Sequence, residues 1–161
     1  VPEDIRVRFV GWGPCSEGFN DGIRILVSED RPSAWVGTYI AGQENGMHLN
    51  FRFTTWSSTC NQFFGAGRER CIKSIAVHEF GHALGFQHEQ DRIDHDPSCN
   101  DELFGDGDLY GGAWDLSSVM NYCNPDWNNN GVLSPNDARW ARVVYYPEYY
   151  TDLMCTPVTR D

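Results

Sequence analysis

Three of the five histidines of this chain fall within eleven residues, in the stretch "HEFGHALGFQH" from His78 to His88. No other feature restricts the possible structures so sharply. On a helix, residues four apart share a face, so His78 and His82 can aim two imidazoles at one point. His88 lies six residues further on, too far for the same face. The helix must therefore stop and the chain swing round. Gly85 supplies the stop, because glycine takes a left-handed backbone at little cost. Three imidazoles aimed at one point suit a zinc ion, and a catalytic zinc takes three protein ligands plus a water. Glu79, beside the first histidine, can reach that water as general base. A purely structural zinc site is the weaker reading, since such sites are closed by four Cys or His ligands and would leave Glu79 idle. Surface histidines on an ordinary helix would leave Gly85 and His88 without a reason.

The segments around this motif read as an α+β domain. Period-two alternation predicts strands over 4–10, 23–27, 33–40 and 46–53, each bounded by turn residues. Helical spacing of Ile72, Ile75, Ala76, Phe80, Ala83 and Leu84 predicts a helix over 71–86. The stretch 89–133 is polar, with few periodic signals, and so long a connection is expected to be functional or held by disulfides. A second helix is predicted over 133–146, with Ser134 as N-cap, Pro135 at the first helical position and Asp137 completing a capping-box-like pattern.

Length and charge narrow the class. The 161 residues, 40% of them hydrophobic, suit one folded domain. A net charge of −11 speaks against nucleic acid and anionic membranes as partners. No apolar run approaches a membrane span, and "VPEDIRVRFV" is not a signal peptide. The six cysteines, none in a CxxC pair, suggest disulfides and an oxidising compartment. Cys60 with Cys71 is the first expected pair, with Cys99–Cys123 and Cys15–Cys155 completing the set; buried free thiols are the alternative.

The full pattern, H-E-x-x-H-x-x-G-x-x-H, resembles that of the metzincin metallopeptidases. Glu89, directly after the third histidine, and the continuation "HEQDRIDHD" (88–96) resemble the astacin family. "SSVMNY" (117–122) is similar to the astacin Met-turn, and "NPDWNNNGVLSPNDARWARVVYY" (124–146) to the C-terminal part of bacterial members. Asn121 stands where astacins usually have histidine. The resemblance implies a metzincin-like α+β fold: a small twisted mixed sheet, an active-site helix above the cleft, and an irregular lower subdomain ending in a C-terminal helix. It implies one catalytic domain over 1–161, with an upper part (1–88) and a lower part (89–161). It further implies that Met120 lies beneath the metal and that Tyr122 is a switchable metal ligand and catalytic group. An edge strand above the cleft is implied to hold the substrate extended, with Trp35, Val36, Gly37 and Thr38 as its residues. A metzincin's first strand and long helix do not fit ahead of "GIRILV", so they are expected to be missing here, through processing or a shortened N-terminus.

The implied protein is a secreted, monomeric zinc endopeptidase acting on protein or peptide substrates. The alternatives are a matrixin-like or other metzincin peptidase in which Tyr122 has no metal role, and an inactive zinc protein that binds a polypeptide. One further stretch has the pattern of an ion site. "DWNNNGVLSPND" places Asp126, Asn128, Asn130 and Asp137 at positions 1, 3, 5 and 12 of an EF-hand-like calcium loop, with Gly131 at position 6. A turn followed by a helix cap is the competing reading of that stretch. His48 and His95 read as structural or exposed.

Overall fold

The computed structural model describes residues 7–18, 21–57, 59–60, 66–99, 105, 107, 109–146 and 156–157. Two helices and a small mixed sheet organise them. The sheet has β1 (Ile25–Val27), β2 (Ser33–Ala34) and β3 (Met47–Leu49), in the order β1-β3-β2. β1 runs parallel to β3, with Ile25 opposite Met47 and Val27 opposite Leu49. β2 runs antiparallel to β3, with Ser33 opposite His48 and Ala34 opposite Met47. The result is α+β and compatible with a metzincin-like arrangement.

The strands are shorter than their hydrophobic alternation predicts. Residues 7–10 form no strand, and 4–6 lie outside the described residues. The run 33–40 leaves the sheet after Ala34. Gly37 has φ +56°, and Gly37–Ile40 forms a turn of 3-10 helix instead. Beyond Leu49, the buried Asn50 takes the main-chain N–H groups of Arg52 and Phe53 onto its Oδ1. That side chain-to-backbone turn competes with a strand ladder and ends β3.

Helix α1 (Ala66–Ala83) packs over the sheet. Its buried side, with Cys71 and Ile75, joins Ile40, Met47, Leu49, Phe53 and Cys60 in one apolar core. Each large apolar side chain buried there contributes about 1.5–3 kcal/mol. The helix begins five residues earlier than the apolar periodicity predicts. It ends at Ala83, short of the predicted 86, and Gly85, with φ +95°, makes the expected break. The Phe86 N–H reaches the Gly81 carbonyl at 3.1 Å and the Gly85 N–H that of His82 at 2.8 Å. This is the paired closure of a Schellman motif, which leaves the chain free to turn back.

Helix α2 (Pro135–Tyr145) starts with a complete capping box. Asp137 N–H donates to Ser134 Oγ, and Ser134 N–H to Asp137 Oδ2. Between the helices the described chain is mainly turns, including 3-10 turns at Glu89–Asp91 and Asn128–Gly131. A two-stranded ladder of β4 (Leu109–Tyr110) and β5 (Thr156–Pro157) was not foreseen. Among the described residues two disulfides form as expected: Cys60–Cys71 at the start of α1, and Cys99–Cys123 across the polar connection. Cross-links of this kind typically contribute about 2–4 kcal/mol. Cys15 is exposed and has no disulfide partner among the described residues; its expected partner, Cys155, lies outside them. Among the described residues no helix is long and apolar enough to cross a membrane.

Candidate metal centre

His78 and His82 project from one face of α1, and the Gly85 turn carries His88 back to meet them. One ligand atom from each of the three lies within 4.8 Å of the others. His88 Nε2 is 3.3 Å from His78 Nε2 and 3.1 Å from His82 Nε2. The far side of two rings is anchored on main-chain carbonyls. His78 Nδ1 donates to Val119 O at 2.8 Å, and His82 Nδ1 to Phe86 O at 2.8 Å. Because each ring's proton sits on Nδ1, its Nε2 turns a bare lone pair inward. Lone pairs gathered this closely repel one another unless a cation lies between them. The donor set, all imidazole, fits zinc.

Electrostatics agree with that arrangement. Burial, with the charge of His82 adding to it, holds His78 down at about 3. Burial and the neighbouring histidines hold His88 at about 3 as well, and burial lowers His82. All three are therefore neutral near pH 7, the state a metal ligand needs. Glu79 is buried too, and desolvation pushes it up to about 8 against the opposing pull of Arg31. A divalent cation at the histidines would pull it back toward the ionised form.

A cleft of about 460 Å³ opens onto this cluster. Its walls include Glu79, His82, His88 and Tyr122 on one side, with Arg31, Ser33, Ala34 and Val36 on the other. The Tyr122 ring lies beside two of the histidines, its centroid 5.2 Å from that of His78 and 4.6 Å from that of His88. The opposite wall is β2, an outer strand of its sheet. Trp35 N–H donates to Gly46 O across the ladder, so the main-chain groups of Ala34 and Val36 point away from β3. Of the four residues expected to line the edge strand, only Val36 lines the cleft, and Ala34 takes the place ahead of it. Trp35 directs its main-chain N–H to the neighbouring strand and leaves its side chain half exposed, while Gly37 and Thr38 belong to the 3-10 turn. A larger hollow of about 730 Å³ lies between α1 and α2, walled largely by apolar groups such as Phe80, Leu84, Trp140 and Val144. It contains neither Glu79 nor Tyr122.

The turn at 117–122 packs against α1 beside the histidines, with Val119 O on His78 Nδ1. Met120 is buried under α1, where a Cβ at Gly81 would fall 2.4 Å from its sulfur. Only glycine allows the helix to sit so close. Met120 O accepts the Glu89 N–H at 3.0 Å, which ties the turn after His88 to the 117–122 segment. The fully buried Gln90 takes the Tyr122 N–H on its Oε1 at 3.1 Å. Asn121, where a histidine is usual in the resembled family, is fully buried and donates to Asp115 O while accepting from Cys123 N–H. Glu89 accepts the Asp115 N–H and faces Arg92 Nε at 3.6 Å. Burial nevertheless raises it to about 7.

The calcium reading finds no support among the described residues. Asp137 uses one oxygen for Ser118 Oγ at 2.6 Å and the other for Val119 N–H and the Ser134 cap. Both oxygens of its carboxylate are thus engaged by Ser118, Val119 and the helix cap, which accords with the reading of the stretch as a turn and a helix cap. His48 lies in β3 and His95 in a turn, neither of them in the cluster. Sequence reasoning gave no role to Gly81, Gln90 or Arg31, and gave Asp137 only half of its own. Gly81 falls between two assigned motif positions, and its need for a missing side chain appears only once Met120 is in place.

Residues 58–100, which carry all three histidines, match the model of one family, the astacin peptidases. Over this segment, about a quarter of the chain, the sequence is similar to the astacin peptidases. No curated protein and no solved structure matches the chain. The astacin match and the three-histidine cluster together point to a zinc metallopeptidase.

Proposed function

We propose that this chain is a secreted zinc endopeptidase, with His78, His82 and His88 holding the metal and Glu79 as general base. One observation carries the reading: three inward-facing imidazole nitrogens converge beside a buried carboxylate at the bottom of a cleft. Zinc, when bound there, would polarise the scissile carbonyl and acidify a water. Glu79 takes a proton from the attacking water as its oxygen bonds to the carbonyl carbon. The peptide C–N bond then breaks, and Glu79 delivers that proton to the departing amine. The Tyr122 phenol donates a hydrogen bond to the carbonyl oxygen as negative charge grows on it. Its place beside His78 and His88 favours this over the matrixin-like alternative, in which the tyrosine is idle.

Substrate binds as an added strand along β2, with the outward main-chain groups of Ala34 and the Val36 N–H as partners, the Val36 carbonyl being taken by the Tyr39 N–H. The residues up to His88 form the upper part of the catalytic domain and those after it the lower part. Two disulfides fit an extracellular setting. The intact Glu79 speaks against a silent polypeptide binder. Casein cleavage tests the reading. It should be abolished by 1,10-phenanthroline and restored by zinc; cleavage indifferent to the chelator would overturn it.

A further inference from the structure

The three histidines are not backed alike. His78 and His82 each rest Nδ1 on a neutral main-chain carbonyl. His88 turns Nδ1 toward a carboxylate instead, with Asp91 Oδ2 at 3.5 Å, an electrostatic contact rather than a closed hydrogen bond. Both side chains are nearly sealed from solvent, 9% accessible for His88 and 2% for Asp91. The local backbone creates the contact. Glu89–Asp91 is a single 3-10 turn, closed by Asp91 N–H on His88 O at 3.2 Å. In that geometry residues three apart eclipse, so Asp91 stands directly against the histidine. The adjacent Arg92 is turned elsewhere, to Asp94, Glu89 and the Gly112 carbonyl.

We infer that Asp91 is a positioning residue for the third metal ligand: its carboxylate holds the Nδ1 proton of His88 and thereby presents Nε2 to the metal. The inference rests on the zinc reading of the histidine cluster. A carboxylate at the outer nitrogen fixes ring tautomer and orientation, and it makes the inner nitrogen a stronger donor than a carbonyl-backed imidazole. It also brings a negative charge to a buried site where three neutral rings would otherwise leave a dication unbalanced. Asp91 thus acts on metal affinity, through His88, and touches neither substrate nor reacting atoms. In the sequence it is one acid among several in "HEQDRIDHD", with nothing to separate it from a solvated acidic loop.

The test measures zinc binding. Metal-free parent, Asp91→Asn and Asp91→Ala are titrated with zinc against a chromophoric chelator, and their thermal melting is recorded without metal. Outer partners of ligating histidines are worth about 10–100-fold in affinity. Asp91→Ala should bind zinc weaker by that factor. Asp91→Asn, of nearly equal volume, should also be weaker while melting like the parent, and its cobalt-substituted form should show shifted visible bands. Parent-like zinc affinity in Asp91→Asn would overturn the inference even if Asp91→Ala fails to fold. A parent that takes up no zinc would overturn the zinc reading as well; a zinc-binding parent with unaffected variants overturns this inference alone.

Discussion

The two walls of the cleft are made in different ways. The histidine wall comes from one continuous run, His78 to His88, whose geometry follows from helix period and one glycine turn. Its side chains are buried, and two of the three rings are locked on main-chain carbonyls. The opposite wall is a two-residue strand, far from His78 in the chain, held by its pairing with β3 and by Ala34 packing on the core. It offers main-chain groups rather than chemistry. Damage to the first wall should therefore abolish turnover, and damage to the second should weaken only the hold on substrate.

The largest effect belongs to Glu79→Ala. It should retain zinc yet lose about 10²–10⁴ in kcat, the usual worth of a general acid–base group. Near-parent cleavage by this variant would erase the contrast between the walls. Next comes Tyr122→Phe, which keeps the ring against His78 and His88. The expected result is a fall in kcat of at least about tenfold with KM nearly unchanged, because the lost hydrogen bond is strongest in the transition state. Parent kcat would reduce the tyrosine to scaffolding.

Val36→Pro probes the other wall. The Val36 φ of −87° suits proline, and only an outward N–H is lost. One such hydrogen bond is worth about 0.5–1.5 kcal/mol, so KM should rise roughly three- to tenfold with kcat and zinc content kept. A fall in kcat at constant KM would mean that β2 does more than hold substrate. The smallest effect concerns acidity in the metal-free protein. Burial raises folded Glu79 from 4.5 to about 8. The native state therefore holds a proton that the unfolded chain releases, and this contribution to stability, complete below about pH 4.5, is lost as pH rises toward 8. Relative to Glu79→Gln, metal-free parent should melt lower by a margin that widens from pH 5 to 8. Added zinc should narrow that margin, since a cation beside the carboxylate restores its ionised form.

The same contrast explains what could be read from the residues alone. The helix, its Gly85 end, the meeting of His78, His82 and His88, and the Ser134–Asp137 cap are local, and local spacing encodes them. The Cys60–Cys71 and Cys99–Cys123 pairs were also legible. The strands were overextended, because alternation marks which residues suit a sheet but not where a partner strand ends. Ala34 instead of Gly37 and Thr38 on the cleft, and the β4–β5 ladder, depend on pairing across the fold. Asp137 shows the other limit: its position suits an ion loop, yet the distant Ser118 and Val119 claim its second role.

The central claim is that one zinc, held by the three histidines, turns the cleft into a peptidase site. Its most direct test titrates metal-free protein with zinc while cleavage of a quenched fluorescent peptide is followed. Activity should climb linearly and level at one zinc per chain, and His88→Ala should neither bind tightly nor cleave. Cleavage by the metal-free chain, or full activity in His88→Ala, would contradict it.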